Sequence, residues 1–171
     1  MTPRTDDAGV TMIELIIVLV VSSILLALVS VMFATTLTAQ RQTTERDLAT
    51  AQLNAVTASI TESVRASADS AVSESGQRLD ATVLLSDGES WECRAWRVLD
   101  AELLFRTIRG GVSSSWTALA TGVRGNLASG AAFAASDSTI TLGLTITRGE
   151  TVVALTDGAH AQVVTEEVPS C

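Results

Sequence analysis

Apolar residues run unbroken from Leu15 to Ala34, LIIVLVVSSILLALVSVMFA, with Ser22, Ser23 and Ser30 as the only polar members. A helix of twenty residues is about 30 Å long, the thickness of a bilayer's hydrocarbon core, so the pattern predicts a membrane-spanning helix. Neither Gly nor Pro occurs from Val10 to Ser75, so the helix is expected to continue past the span, up to about 100 Å in all. Its second half reads differently. Ala49, Leu53, Val56, Ile60 and Val64 recur at steps of 4, 3, 4 and 4, the stripe of a helix lying on a packing partner. The opposite face is wet, with Glu62–Arg65 and Arg65–Asp69 at pairing distance. Frequent Thr and Ser weaken intrinsic helicity, and a break is expected within Ser67–Gly76.

After the helix the period changes to two. Ala81–Leu85 reads as a strand ending at the turn signal Ser86-Asp87-Gly88-Glu89. Trp91–Leu99 and Glu102–Ile108, joined by Asp100-Ala101 and stopped by Gly110-Gly111, read as a hairpin. Residues 113–138, rich in Gly, Ala and Ser, are expected to form an irregular connection with one short strand near Ala131–Ala134. Thr139–Thr147, TITLGLTIT, alternates most cleanly: Ile140, Leu142, Leu144 and Ile146 fall on one face. A turn at Arg148-Gly149-Glu150, a strand at Thr151–Leu155, a turn at Asp157-Gly158 and a last strand at His160–Thr165 complete the reading. The fold class is α+β, a long N-terminal helix packed on a C-terminal antiparallel β-sheet.

Composition narrows the function. The 171 residues suit one anchor and one small domain. Net charge is −8, and all 11 basic residues are arginine. An acidic chain is a poor match for broad phosphate binding, so nucleic acid is an unsupported partner. His160 is the single histidine, which leaves no second histidine for a metal site and only one for a catalytic triad. It reads as a structural strand residue, and the chain reads as no enzyme, with no cofactor and no metal. Asp157, Glu166 and Glu167 are the carboxylates nearest to a calcium set, but their spacing does not demand one. Cys93 and Cys171 belong to no CxxC or His/Cys cluster. Outside the cytoplasm they would pair as a disulfide; otherwise they remain two thiols. Arg94, Arg97, Arg106 and Arg109 would gather on the hairpin's exposed face, either as a contact surface or as a solvated face paired with Glu92, Asp100 and Glu102. Trp96 and Trp116 fit core and interface equally well.

A carboxylate, Glu14, stands at the lip of the apolar run, five residues after Gly9. A charge there normally implies a partner. The string Gly9-Val10-Thr11-Met12-Ile13-Glu14-Leu15 resembles the cleavage and methylation site of type IV prepilins and type II secretion pseudopilins. The resemblance implies a leader at 1–9, cleavage after Gly9 by a prepilin peptidase, and methylation of Val10. It further implies that Glu14 sets subunit register by meeting a neighbour's N-terminal amine. Residues 10–34 would be the transmembrane and filament-core half of the helix, 35–75 its amphipathic half, and 76–171 the extracytoplasmic β-sheet domain. Partners would be membrane lipid before assembly, other pilin or pseudopilin subunits, and the pilus or secretion assembly machinery. The finished filament would lie in the periplasm or at the cell surface. With no lysine amine, any polymer is non-covalent. Ser23, Val31 and Val10 stand where major pilins of the family often carry glycine, proline and an aromatic, which points to a minor subunit. Arg4 is offset by Asp6 and Asp7, and Arg41 and Arg46 follow the span, so orientation rests on the motif and not on flanking charge. The alternative is a membrane-anchored extracellular binding module with no filament role.

Overall fold

A computed structural model describes residues 11–163 and Cys171. The leader, Gly9, Val10, Glu166 and Glu167 lie outside the described residues. The chain divides into two compact units at Thr43/Thr44. One helix, α1 (Met12–Arg65), contributes to both. In the first unit α1 is apolar and every described side chain is exposed, and the helix is long and apolar enough to cross a membrane. Its serines and threonines turn inward on their own backbone: Ser23 Oγ donates to the Val20 carbonyl (2.8 Å) and Ser30 Oγ to that of Leu26 (2.7 Å). Hydroxyls satisfied in this way add little polarity to the helix surface.

In the second unit α1 packs on antiparallel sheets. Ala49, Leu53, Ile60 and Val64 of the expected stripe are buried, and Val56, half-buried, borders them. Thr57, Thr61 and Ser63 fill the same face. Thr61 donates back to the Thr57 carbonyl, which makes its burial tolerable.

The helix stops earlier than the pattern predicted. It ends at Arg65, and the residues expected to extend it through 75 form strand β1 (Ser67–Ser73) instead. The Ser67 hydroxyl donates to the Val64 carbonyl at 2.6 Å, closing the last turn with a side chain where no glycine is available. The segment SADSAVS then has poor helix formers and a ready partner, β2 (Arg78–Leu84). The sheet domain therefore begins at Ser67, not at residue 76.

The larger sheet continues through β3 (Trp91–Leu99), β4 (Glu102–Arg109) and β5 (Val112–Ser113), with β6 (Thr117–Thr121) also pairing β4. The β3–β4 hairpin is tight, and Asp100 and Ala101 both have positive φ, 51° and 61°. That is the mirror-image turn that matches strand twist, adopted here by an alanine that normally avoids it. The smaller sheet holds β7 (Val123–Gly125), β8 (Phe133–Ser136), β9 (Thr139–Arg148) and β10 (Thr151–His160). The alternating face of β9 is the core face, with Ile140, Leu142, Leu144 and Ile146 all at most 2% exposed. Two expectations fail here. Residues 113–138 contain strands β6 and β7 beside β8, and β10 runs through Asp157-Gly158 without turning. Its pairing to β9 continues to His160↔Thr139, so backbone ladder bonds outweigh the local turn preference. His160 is exposed at the end of β10, and the part of the expected last strand beyond residue 163 lies outside the described residues.

The two sheets meet at Gly76. The amide of Ala132 donates to the Gly76 carbonyl at 2.9 Å, and a Cβ at Gly76 would stand 2.6 Å from that of Ala131. Only glycine permits that approach, at φ +83°. One core cluster joins α1 with the inner faces of both sheets.

Candidate functional site

The N-terminal edge of α1 is capped. The Thr11 hydroxyl accepts a hydrogen bond from the Glu14 amide at 3.3 Å, and the Leu15 amide donates to the Thr11 carbonyl at 3.2 Å. Thr11-Met12-Ile13-Glu14 thus has the spacing of a capping box, with a threonine cap and an acid in the first turn. The carboxylate sits where the helix dipole favours negative charge. Glu14 is exposed, as are Met12, Ile13 and the apolar side chains that follow.

At the other end of the chain, Cys93 and Cys171 form a disulfide, with Cα atoms 5.7 Å apart. Cys93 pairs with Thr82 in the ladder, and the Thr82 hydroxyl lies 2.8 Å from Cys171 Sγ. The bridge therefore pins Cys171 to the outer face of the larger sheet.

The four arginines of the hairpin do not share one face. Arg94 and Arg109 both bind Glu92: Arg94 Nε meets Oε1 and an Arg109 terminal nitrogen meets Oε2, each at 2.9 Å. Arg94 also donates to the hydroxyl of Ser63 on α1 at 2.9 Å, so this side of the hairpin faces the helix. Arg97 and Arg106 take the opposite side, because residues three apart on a strand point to opposite faces. Arg97 stands directly across from Arg78 of β2, and its Nε lies 2.7 Å from a Glu74 oxygen. Arg78 bridges Glu74 (3.7 Å) and Asp80 (2.7 Å), and the Asp80 hydrogen bond holds the guanidinium above its ordinary pKa. Arg106 is different. Its guanidinium lies 4.6 Å from the Trp116 ring centre, no ion pair to it exists among the described residues, and its Nε is buried without an acceptor. Arg78 reaches the same ring at 6.0 Å. Of the carboxylates expected to neutralise the arginines, Glu92 does so. Glu74 and Asp80 take the place of Asp100 and Glu102.

Residues 4–30 match the family model for the prokaryotic N-terminal methylation motif. That match supports a type IV pilin- or pseudopilin-type protein. No curated protein and no solved structure matches the chain. An apolar N-terminal helix joined to this motif fits membrane anchoring, and the motif points to a structural protein.

The residues that pattern-reading missed are Thr11, Arg78, Glu74 and the stacking role of Trp116. Thr11 had a signal, the T-x-x-E spacing itself. Arg78 was hidden because β2 starts three residues before the expected strand start at Ala81. Trp96 and Trp116 separate: Trp96 is core, 1% exposed and 5.4 Å from the Phe105 ring, whereas Trp116 is half-buried on the outer face. Among the described residues no cluster of ligating side chains could hold a metal. Asp157, the described member of the calcium candidates, is exposed and accepts from the Gly158 amide.

Proposed function

We propose that the protein is a minor pilin or pseudopilin, a structural subunit of a type IV pilus or type II secretion-type filament. A prepilin peptidase cuts after Gly9 and methylates Val10. The subunit then waits in the cytoplasmic membrane with its sheet domain outside. Assembly machinery extracts it, exchanging lipid contacts for packing against other subunits' helices. The observation that carries this reading is the methylation motif at 4–30 running directly into an exposed apolar helix. Glu14 sets register: in an apolar bundle an out-of-step subunit leaves a neighbour's N-terminal amine unpaired, at a cost of several kcal/mol.

The test is incorporation of Glu14→Ala into filaments sheared from cells. A fall of about tenfold is expected, since 1.4 kcal/mol already gives that factor. Incorporation at the normal rate would remove Glu14 from the account. A chain that sits in the membrane, never enters filaments and still binds an external ligand would instead be an anchored binding module.

A further inference from the structure

Strand β10 stands at the edge of the smaller sheet and is bonded to β9 on one side only. The tight turn at Gly149-Glu150 makes Arg148↔Thr151 a bonded pair, so the odd-numbered residues of β10 bond to β9. The amides and carbonyls of Val152, Ala154, Thr156 and Gly158 therefore point away from the sheet. Asp157 Oδ1 accepts the Gly158 amide at 2.8 Å and closes that end of the edge. The outward groups of Val152, Ala154 and Thr156 have no partner among the described residues.

Natural sheet edges are usually guarded by brevity, a bulge, proline or an inward charge. From Thr151 to Thr156 β10 has none of these. The strand is 10 residues long, its register to β9 is unbroken, and TVVALT carries neither charge nor proline. Val152 is 62% exposed, and Ala154 and Thr156 are exposed beside it. Val153 and Leu155 point the other way, half-buried at the rim of the core. By contrast, the β1 edge of the larger sheet is met at its start by the Val163 amide, which donates to the Ser67 carbonyl at 3.4 Å.

The ends of the edge set the charge of its occupant. Glu150 is exposed and has no ion pair among the described residues. The same turn lies against Glu45, whose Oε2 would stand 2.9 Å from a Cβ on Gly149. Asp157 is the exposed acid at the other end. A second copy paired antiparallel about Ala154 would bring Glu150 of each chain beside Asp157 of the other, like charges at both ends. A strand with basic ends is attracted where a second copy is repelled.

We infer that the free edge of β10 takes an extended segment of a different protein as an added strand. The segment's main chain pairs with Val152, Ala154 and Thr156. Its alternate β-branched side chains cover Val153 and Leu155, and its basic ends meet Glu150 and Asp157. The edge lies in the sheet domain, and its occupancy depends neither on cleavage after Gly9 nor on Glu14.

The probe is the peptide acetyl-Arg-Thr-Val-Thr-Ile-Thr-Val-Arg-amide, offered to the detergent-extracted full-length chain. Fluorescence anisotropy reads binding, and hydrogen exchange resolved to single amides reads the edge. At saturation the amides of Val152, Ala154 and Thr156 should exchange about tenfold more slowly, while the odd-numbered amides, already bonded to β9, stay as they were. The same peptide N-methylated along its centre keeps its side chains and should bind about tenfold more weakly. Ala154→Pro removes an outward amide without touching the ladder to β9 and should have a similar effect. Glu150→Arg with Asp157→Arg should weaken the Arg-ended peptide about fivefold and favour a Glu-ended one. Unchanged exchange at the three amides, equal binding of the N-methylated peptide, or indifference to the reversed end charges would each overturn the inference. Amides already slow without peptide and faster on dilution would show a second copy on the edge, and would overturn it too. If Ala154→Pro fails to fold, the N-methylated peptide on the parent chain decides alone.

Discussion

Asp87 shows how a single side chain can be settled by its neighbours. Hydrogen bonds from Ser90, first its side chain and then its amide, together with the Glu89 amide, hold the carboxyl down to about 2 from an ordinary 3.8. The charged form is the bonded form, so the turn's contribution to stability is complete above pH ~4 and fades as pH falls through about 2. A carbon-13 titration of the Asp87 carboxyl in the detergent-extracted chain should show its midpoint near 2, and Ser90→Ala should raise it towards the ordinary value. A midpoint at the ordinary value in the parent chain would contradict the turn geometry. At this scale the sequence was legible where chemistry is local. Asp87 in a turn and Glu14 at the helix lip could each be read from their neighbours, whereas the pairing of Cys93 with Cys171, 78 residues apart, could not. The arginines could not, because their grouping depends on strand parity and on where β2 begins. A shift of one residue moves a side chain to the other face, so Arg94 and Arg109 share Glu92 while Arg97 and Arg106 look outward.

Among the elements, the clearest sequence signals were strictly periodic ones. The stripe on α1 and the alternation of β9 are both buried as their spacing requires. Elements built from small polar residues were not legible. β1 and β6 have little apolar signal of their own, and they exist because β2 and β4 offer them hydrogen bonds. The disulfide acts at the same scale by tying Cys171 across a separation of 78 residues to β3. Loop-closure entropy puts its contribution at about 4.5 kcal/mol. Cys93→Ser with Cys171→Ser should therefore lower the thermal midpoint of the detergent-extracted chain by roughly 10 °C. Circular dichroism melts would check it, and an unchanged midpoint would show that the bridge does not constrain the sheet domain.

For the whole molecule, the two units divide the work. The sheet domain has a closed core, so its apolar side chains are largely spent on its own fold. The first unit has none buried among its described residues: from Met12 to Phe33 its large apolar side chains are exposed. Such a helix needs lipid or other helices around it, and the methylation motif lies at its front edge. The account thus turns on whether the chain is processed at that edge. Mass spectrometry of the protein purified from membranes and from sheared filaments measures this directly. The account predicts a mature N-terminus at Val10 carrying a methyl group. An intact Met1, or a cut on the far side of the span after Ala34, would contradict it.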